Sequence, residues 1–530
     1  MLEIALNECF LKVKRCCAVT VLSGLLMSCG NANEFISSKE SAPTAVADIS
    51  KPNVVIIYAD DMGYGDLQIQ NPNSKIPTPN LDKLATEGMT FTDAHSASTV
   101  CSPSRYSMLT GRYHWRGHLT NGVIGPWGDP AIEPGRETIA SMLKEHDYQT
   151  AIIGKWHLGM IYPFKEGKGQ NTVDHKEWRS IDRTLYQPDD FDWKKPVKQG
   201  PNSVGFDYYF GDGTINYPPY VWMENDYFLD TPSEMNNTRI VRSEVGNWQL
   251  GKGPKVKGWD FTQAPLDVTQ KAVDWINRQQ KNKPFFLYFP MQSPHSPVLP
   301  AKQFQGKSGA GPYGDYVMQT DWMAGQVLNA IKQKGFENNT IIIFTSDNGP
   351  EIYAYKRIQD YQHRSMGQWR GVKRDLWEGG HRVPFIAKYP GKIPANSTNH
   401  NLTSQVDIMA TVANLTNVKL NKLTGPDSKD FSDNLIDPSS EPYRDSLVYH
   451  SPQNKYAIRQ GDWVLIEHST GQVSREPKWY KEFLNAKPHN APITLYNIKQ
   501  DPEEKVNLYS QYPEKAKALL KQLNNIRSGS

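Results

Sequence analysis

Apolar, β-branched runs recur along the chain, and polar or ionisable residues follow them within a few positions. Residues 54–58 read Val-Val-Ile-Ile-Tyr, and Asp60 and Asp61 come next. Residues 150–153 precede Lys155 and His157, residues 284–289 precede His295, and residues 340–345 precede Asp347 and Asn348. A continuous apolar run of this length predicts a strand buried on both faces. Residues 383–387 predict a further strand. Between these runs the spacing turns helical, predicting helices over 80–88, 137–146, 268–280, 316–332 and 406–415. In the first of them Leu81, Leu84 and Ala85 face inward and Gly88 is the stop. The alternation predicts an α/β fold with a large, mostly parallel central sheet flanked by helices. In open α/β sheets, sites form beyond the carboxyl ends of the strands. The polar groups after the four runs are therefore expected along one sheet edge.

Two stretches read differently. Residues 161–259 are rich in Asp, Lys, Gly, Pro and aromatics with weak periodicity, and predict long insertions over that edge. From about residue 445 the texture changes to short strands at 446–450, 456–459, 463–466 and 494–496, then a closing helix at 513–526. This predicts a smaller C-terminal α+β domain with a short antiparallel sheet and a helix. The expected organisation is a catalytic domain over 51–440 and the smaller domain over 441–530.

Composition narrows the functional classes. A chain of 530 residues has room for several domains, and 22% charged with 38% hydrophobic residues is ordinary globular usage. The net charge of +3 gives no pull toward nucleic acid or an anionic membrane. A mean hydropathy of −0.62 and the lack of an apolar run of about 18 residues exclude a polytopic membrane protein. Four of the five cysteines lie in the first 29 residues. Lys12, Lys14 and Arg15 precede an apolar stretch over 16–26, which has the shape of a secretory signal. It ends in Leu26-Met27-Ser28-Cys29-Gly30, which resembles a bacterial lipobox. The expectation is a lipoprotein signal over 1–28, a lipidated Cys29 and a polar tether over 29–50. The alternative is an ordinary signal peptide that contains a cysteine. An anchored product would be exported to the periplasm or cell surface, touching the membrane only through its lipid.

Such a mature chain keeps Cys101 beyond the anchor and has no pair for a disulfide. A lone thiol in an exported protein asks for a chemical reason, the bland one being a small buried hydrophobe. Its neighbours are Ser102-Pro103-Ser104-Arg105 and then Leu109-Thr110-Gly111-Arg112. Pro103 suits the first turn of a helix. Cys101 then sits at the helix N-terminus, where an anion is favoured, with Arg105 one turn on.

Cys-x-Pro-x-Arg with Leu-Thr-Gly-Arg resembles the signature of the type I sulfatases in the alkaline-phosphatase superfamily. Gly154-Lys155-Trp156-His157-Leu158-Gly159 resembles that family's second signature. The likeness extends in family order through Asp60-Asp61, Ser293-Pro294-His295, Ser346-Asp347-Asn348-Gly349, Gly371-Val372-Lys373 and the 378–384 stretch. It implies that a maturation enzyme oxidises Cys101 to formylglycine, whose gem-diol is the nucleophile. One oxygen attacks sulfur and displaces the alcohol, giving a covalent sulfate ester; the other then loses its proton, so that the aldehyde re-forms and sulfate leaves. Asp60, Asp61, Asp347 and Asn348 offer only oxygen, which suits Ca²⁺ or Mg²⁺ rather than Zn²⁺. The resemblance favours one Ca²⁺, held by these four and residue 101. Asp347 either binds the metal alone or also helps deprotonate the nucleophile. Arg105, Lys155 and Lys373 supply fixed positive charge around the anion. By the same likeness, His295 serves the leaving alkoxide and His157 the second gem-diol hydroxyl. Lys155, His295 and Lys373 also contact the substrate's sulfate.

The expected activity is hydrolysis of sulfate esters on external sulfated saccharides, of the ulvan or carrageenan type or host glycosaminoglycans. Formylglycine-dependent phosphonate monoester or phosphodiester hydrolases and an inactive glycan-binding lipoprotein are the alternatives. Trp178, Tyr208, Tyr209, Tyr217, Tyr220 and Trp222 are candidates for stacking on sugar rings. His114, Arg116, His175 and Arg179 are candidates for contacts to sugar hydroxyls, carboxylates or a second sulfate.

Overall fold

Burial on both faces decides which segment becomes the centre of the sheet. Asn53–Ala59, buried at every position, forms the middle strand. It pairs in parallel with Phe285–Pro290 on one side and Thr340–Ser346 on the other, with Ile56 opposite Tyr288 and Ile343. Gln149–Ile153 lies beyond Phe285–Pro290, also parallel. Phe385–Lys388 lies beyond Thr340–Ser346 and runs antiparallel. Among the described residues, ten strands make one mixed, mostly parallel sheet. The computed structural model describes residues 51–529 apart from 170–183, 239, 244–245 and 422.

Successive side chains of a strand point to opposite faces, so each strand feeds two cores. Val54, Ile56 and Tyr58 pack with Tyr106, Met108 and Leu109 of the helix Cys101–Thr110 and with Ile408 and Met409 of Ile408–Leu415. Val55, Ile57 and Ala59 pack with Val268 and Trp275 of Ala264–Arg278 and with Tyr316 and Val327 of Gly311–Gln333. Helices thus cover both faces, as a parallel sheet requires.

A second, four-stranded antiparallel sheet joins Ser446–Ser451, Lys455–Gln460, Trp463–Ile466 and Thr494–Asn497. The helix Pro513–Ser528 covers one face, setting Leu519 and Leu523 against Val448 and Ile458. Leu376 and Trp377 cover the other, against Leu447, Tyr449 and Val464. His450 of this sheet bridges to Ser98, just before the helix Cys101–Thr110. The described residues form one compact unit.

The 161–259 stretch is more ordered than its weak periodicity predicts. Tyr208–Gly211 extends the central sheet in parallel next to Gln149–Ile153. Only four residues long and opening on two tyrosines, it leaves no apolar run to detect. The helices Ala354–Tyr361 and Lys478–Leu484 also went without a sequence signal. The expected signal, Cys29 and the tether lie outside the described residues. Among the described residues, no helix is long and apolar enough to cross a membrane.

Candidate active site

The four parallel strand ends deliver their polar residues to one edge, as the alternation predicts. Asp60 and Asp61 leave the middle strand, and Asp61 adopts the left-handed region at φ 64. That turn lets the Asp61 amide donate to Asp347 Oδ1 at 3.1 Å, joining two neighbouring strand ends. Asn348 Nδ2 donates to Asp61 Oδ1 at 2.8 Å. Cys101 opens a helix whose residues are all buried. Arg105, one turn on, donates from Nε and Nη2 to Asp347 Oδ2 at 3.1 and 2.8 Å, and its guanidinium faces the Tyr58 ring.

Two lysines close the ring. Lys155 Nζ lies 2.6 Å from Asp60 Oδ2, both side chains being fully buried. Lys373 Nζ lies 2.5 Å from Asp61 Oδ1 and 3.2 Å from Cys101 Sγ. Cys101 Sγ is 3.7 Å from Asp60 Oδ1. His295 Nε2 is 3.7 Å from Asp61 Oδ2. His157 holds its Nε2 3.0 Å from the Ile124 carbonyl, and its Nδ1 is buried without a partner. Asp60, Asp61, Asp347, Asn348, Cys101, Arg105, Lys155, His157, His295 and Lys373 are thereby gathered at one place.

Electrostatics sorts these groups. Burial pushes the Asp60 carboxyl up, but Lys155, His295 and Arg105 outweigh it and hold the group at about 2. Asp347 is raised, by burial and then by the neighbouring Asp60 carboxylate. Burial and the Asp347 charge push the Cys101 thiol to about 12, so an unmodified thiol here is a poor nucleophile. Burial, then Lys155 and Arg105, hold His157 well below the usual imidazole range. His295 is lowered chiefly by burial. Burial opposes the charge on Lys373, yet Asp61 and its neighbours hold the amine well above the ordinary lysine range.

Asp61 Oδ2 and Asn348 Oδ1 are buried without hydrogen-bond partners, which is costly in a protein interior. Ligand atoms of Asp60, Asp61, Cys101 and His295 lie within 4.8 Å of one another. Converging carboxylate and amide oxygens of this kind fit a hard dication such as Ca²⁺. The arrangement as a whole has a buried side chain at a helix N-terminus, fixed cations around it and two imidazoles beside it. It is suited to moving an anionic group with proton transfer at both ends.

Three candidate sugar contacts, His114, Tyr209 and Tyr220, are overturned by burial, whereas Arg116, Tyr208 and Trp222 are half-buried and engaged by neighbours. His114 is fully buried, with Nδ1 2.8 Å from the Leu119 carbonyl and its ring against Trp115 and His450. Arg116 is spent on Asp427 at 2.8 Å and the Ile526 carbonyl at 2.7 Å. Tyr209 and Tyr220 are core residues, Tyr208 donates to Glu224, and Trp222 packs on Phe210 and Trp259. Tyr217 remains, lining the cleft beside His157 with Ile124, Thr214 and Pro218. Trp178, His175 and Arg179 lie outside the described residues. Missed was Asp212, which follows Tyr208–Gly211 just as Asp60 follows its strand. Its carbonyl accepts from the Trp156 amide at 3.1 Å, and the next carbonyl, of Gly213, accepts from His157 at 2.8 Å. That strand end holds His157 at its left-handed φ of 53.

Residues 52–418 match the family model described as Sulfatase, and residues 368–529 match N-sulphoglucosamine sulphohydrolase, C-terminal. Over 516 residues the chain is 32% identical to an N-acetylgalactosamine-6-O-sulfatase of Bacteroides thetaiotaomicron, covering 90% of this chain and 93% of that protein. Against arylsulfatase A of Bos taurus it is 30% identical over 491 residues, covering 91% and 88%. A Bacteroides thetaiotaomicron structure from work on the metabolism of multiple glycosaminoglycans superposes with a TM-score of 0.75 at 31% identity, covering 90% of this chain and all of that one. The phosphonate monoester hydrolase of Agrobacterium radiobacter shares the fold at 17% identity and a TM-score of 0.55, covering 90% and 96%.

Proposed function

Because this chain belongs to the sulfatase family, we propose that it removes sulfate from sulfated saccharides, using formylglycine at position 101 and a bound calcium ion. The observation that carries the reading is Cys101 at the buried helix start, with Lys373 Nζ 3.2 Å from its sulfur. Cys101 Sγ stands in for an oxygen of the hydrated aldehyde, and a maturation enzyme supplies the oxidation. That hydrate provides a nucleophile which the thiol, pushed to about 12, is not. A calcium ion held by Asp60, Asp61, Asp347 and Asn348 would polarise a sulfate oxygen.

The side chains then divide the work. Arg105 holds Asp347 in place through two hydrogen bonds, which keeps that carboxylate aimed at the site. Lys155 and Lys373 lie fixed and dry, where positive charge acts on a developing anion with little reorganisation. His295, taking up a proton when the anionic substrate binds, passes it from Nε2 to the departing sugar oxygen. His157, kept neutral by burial, accepts the proton of the second hydroxyl through its unpartnered Nδ1. Tyr217 offers its ring to the sugar beside His157.

The bacterial relative's name makes N-acetylgalactosamine 6-sulfate within glycosaminoglycan oligosaccharides the first substrate to test, ahead of carrageenan and ulvan fragments. The proposal places the enzyme outside the cytoplasm, anchored by a lipid on Cys29. The test is free sulfate released from a panel of these oligosaccharides, with calcium and with residue 101 confirmed as aldehyde by mass spectrometry. Release from one class supports the reading and names the class. Silence across the panel, with a phosphonate monoester turned over instead, overturns it.

A further inference from the structure

The turn that presents Lys373 is held from outside the central-sheet region. Gly371 has φ 90 and Arg374 φ 80. A non-glycine residue persists in the left-handed region only where its surroundings over-determine it. The hold comes from the connection between Trp463–Ile466 and Thr494–Asn497 of the smaller sheet. The buried Asp375 carboxylate accepts from the amides of Val473 and Ser474, both at 2.7 Å, and from that of Val372 at 3.0 Å. The Ser474 hydroxyl donates to the carbonyl of Lys373 itself at 2.6 Å. The Leu376 amide donates to the Gly471 carbonyl at 2.8 Å. A Cβ on Gly471 would meet Trp377 and Ile466 at 2.9 Å, so this strap lies as close as backbone permits. At its far end Glu476 takes Arg370 through two 2.8 Å bonds, and that guanidinium lies over the Trp377 ring.

We infer that residues 471–476 form a strap that sets Lys373 against residue 101, with Asp375 and Ser474 as positioning residues for the reaction. The inference rests on the role given to Lys373 above. The backbone of Lys373 is gripped on both sides, since its amide also donates to the Pro350 carbonyl at 2.8 Å, just past Asn348. The strap therefore joins the smaller sheet to the catalytic edge through the one cation within reach of Cys101 Sγ among the hydrogen bonds described.

The experiment compares Ser474→Ala, Ser474→Thr and Asp375→Asn in the full-length enzyme and repeats Ser474→Ala in a Lys373→Ala background. Misplacing a reacting group by a fraction of an ångström to an ångström costs roughly ten- to a hundredfold. Ser474→Ala is expected to lower kcat about tenfold, and Asp375→Asn further. Ser474→Thr keeps the hydroxyl and should recover most of the rate. The Ser474→Ala loss should vanish once Lys373 is gone, because coupled sites are non-additive. Hydrogen exchange of the 371–376 amides should rise in Ser474→Ala, a readout that needs no turnover. An equal loss in both backgrounds, or unchanged exchange over 371–376, overturns the strap. A wild-type enzyme that releases no sulfate would sink the reaction proposed above, while the exchange measurement still decides the strap.

Discussion

Two buried clusters of charge are built from neighbouring stretches of this sequence and are finished in opposite ways. The first is the sheet-edge site around Cys101. The second joins Asp93, His95, Glu378, His381, Arg382 and Arg459. In the second, Arg459 donates to Asp93 Oδ2 at 2.8 Å, and Arg382 lies 2.6 Å from both Asp93 and Glu378. His95 bonds Asp93 at 2.7 Å, and its Nδ1 lies 2.9 Å from that of His381, whose ring stacks on Tyr449. None of these six side chains has a buried polar atom without a partner. The sheet-edge site leaves Asp61 Oδ2, Asn348 Oδ1, Arg105 Nη1 and His157 Nδ1 unpartnered. A satisfied network stabilises and specifies packing, whereas an unsatisfied one stores interactions for something that arrives later. The two also touch, for the Gly349 amide donates to the Gly380 carbonyl at 3.0 Å.

If that contrast is right, substitutions in the two clusters should separate rate from stability. Cys101→Ala should lose turnover by at least about a thousandfold, the scale of removing a covalent nucleophile. Its thermal midpoint should stay within a few degrees of the wild type. Glu378→Gln should do the reverse. Removing one partner from a buried charge network costs about 3–5 kcal/mol, because Arg382 and Arg459 are left to share the single carboxylate of Asp93. The enzyme that remains folded should keep its kcat. Sulfate release and urea unfolding on both variants check the pair. A stable but inactive Glu378→Gln would break the distinction.

Calcium gives a smaller, sharper version of the same test. A ligand that binds only the folded state stabilises it by about 2.7 kcal/mol at a hundred times its Kd. Calcium should raise the melting point of the wild type and of Glu378→Gln alike, and should not move Asp61→Asn to the same extent. An equal shift in all three would place the ion elsewhere.

The catalytic edge was legible because strand ends obey a simple rule and because the motifs there are short-range. Asp60, Lys155, His295 and Asp347 each follow a buried strand within a few residues. Lys373 follows none, so only the motif around Gly371 marked it. Asp212 obeyed the rule but escaped, since Tyr208–Gly211 is too short to read as a strand. Asp375 and Ser474 are 99 residues apart, and hydrogen bonds to backbone amides at that separation leave no trace in periodicity. Three of the candidate sugar contacts were lost for the opposite reason. Aromatics and histidines fill cores as readily as clefts, and His114, Tyr209 and Tyr220 were spent on packing.

The smallest expected effect is a slope. Burial lowers the imidazoles of His95 and His381, the latter to about 3, with Arg382 adding to it, although Glu378 opposes it at both rings and Asp93 at His95. Below pH 6.5, the ordinary histidine value, the unfolded chain takes up protons that the folded chain refuses. Stability is therefore full above that pH and declines as pH falls toward 3. His114, His157 and His450 are lowered too and add to the decline. The Glu378 carboxylate, held at about 2, adds its own loss only below 4.5. His381→Phe keeps a ring against Tyr449 and removes one of these protons, which at full uptake is worth about 1.4 kcal/mol per pH unit. Urea unfolding at pH 7.5, 6.0 and 5.0 should show a shallower decline for His381→Phe than for the wild type. The acid limb of kcat/KM, which the proposed mechanism assigns to the other cluster, should not move with it. Parallel stability curves, or an acid limb that shifts along with His381→Phe, would mean that the two clusters titrate as one and that the division between holding and reacting is drawn in the wrong place.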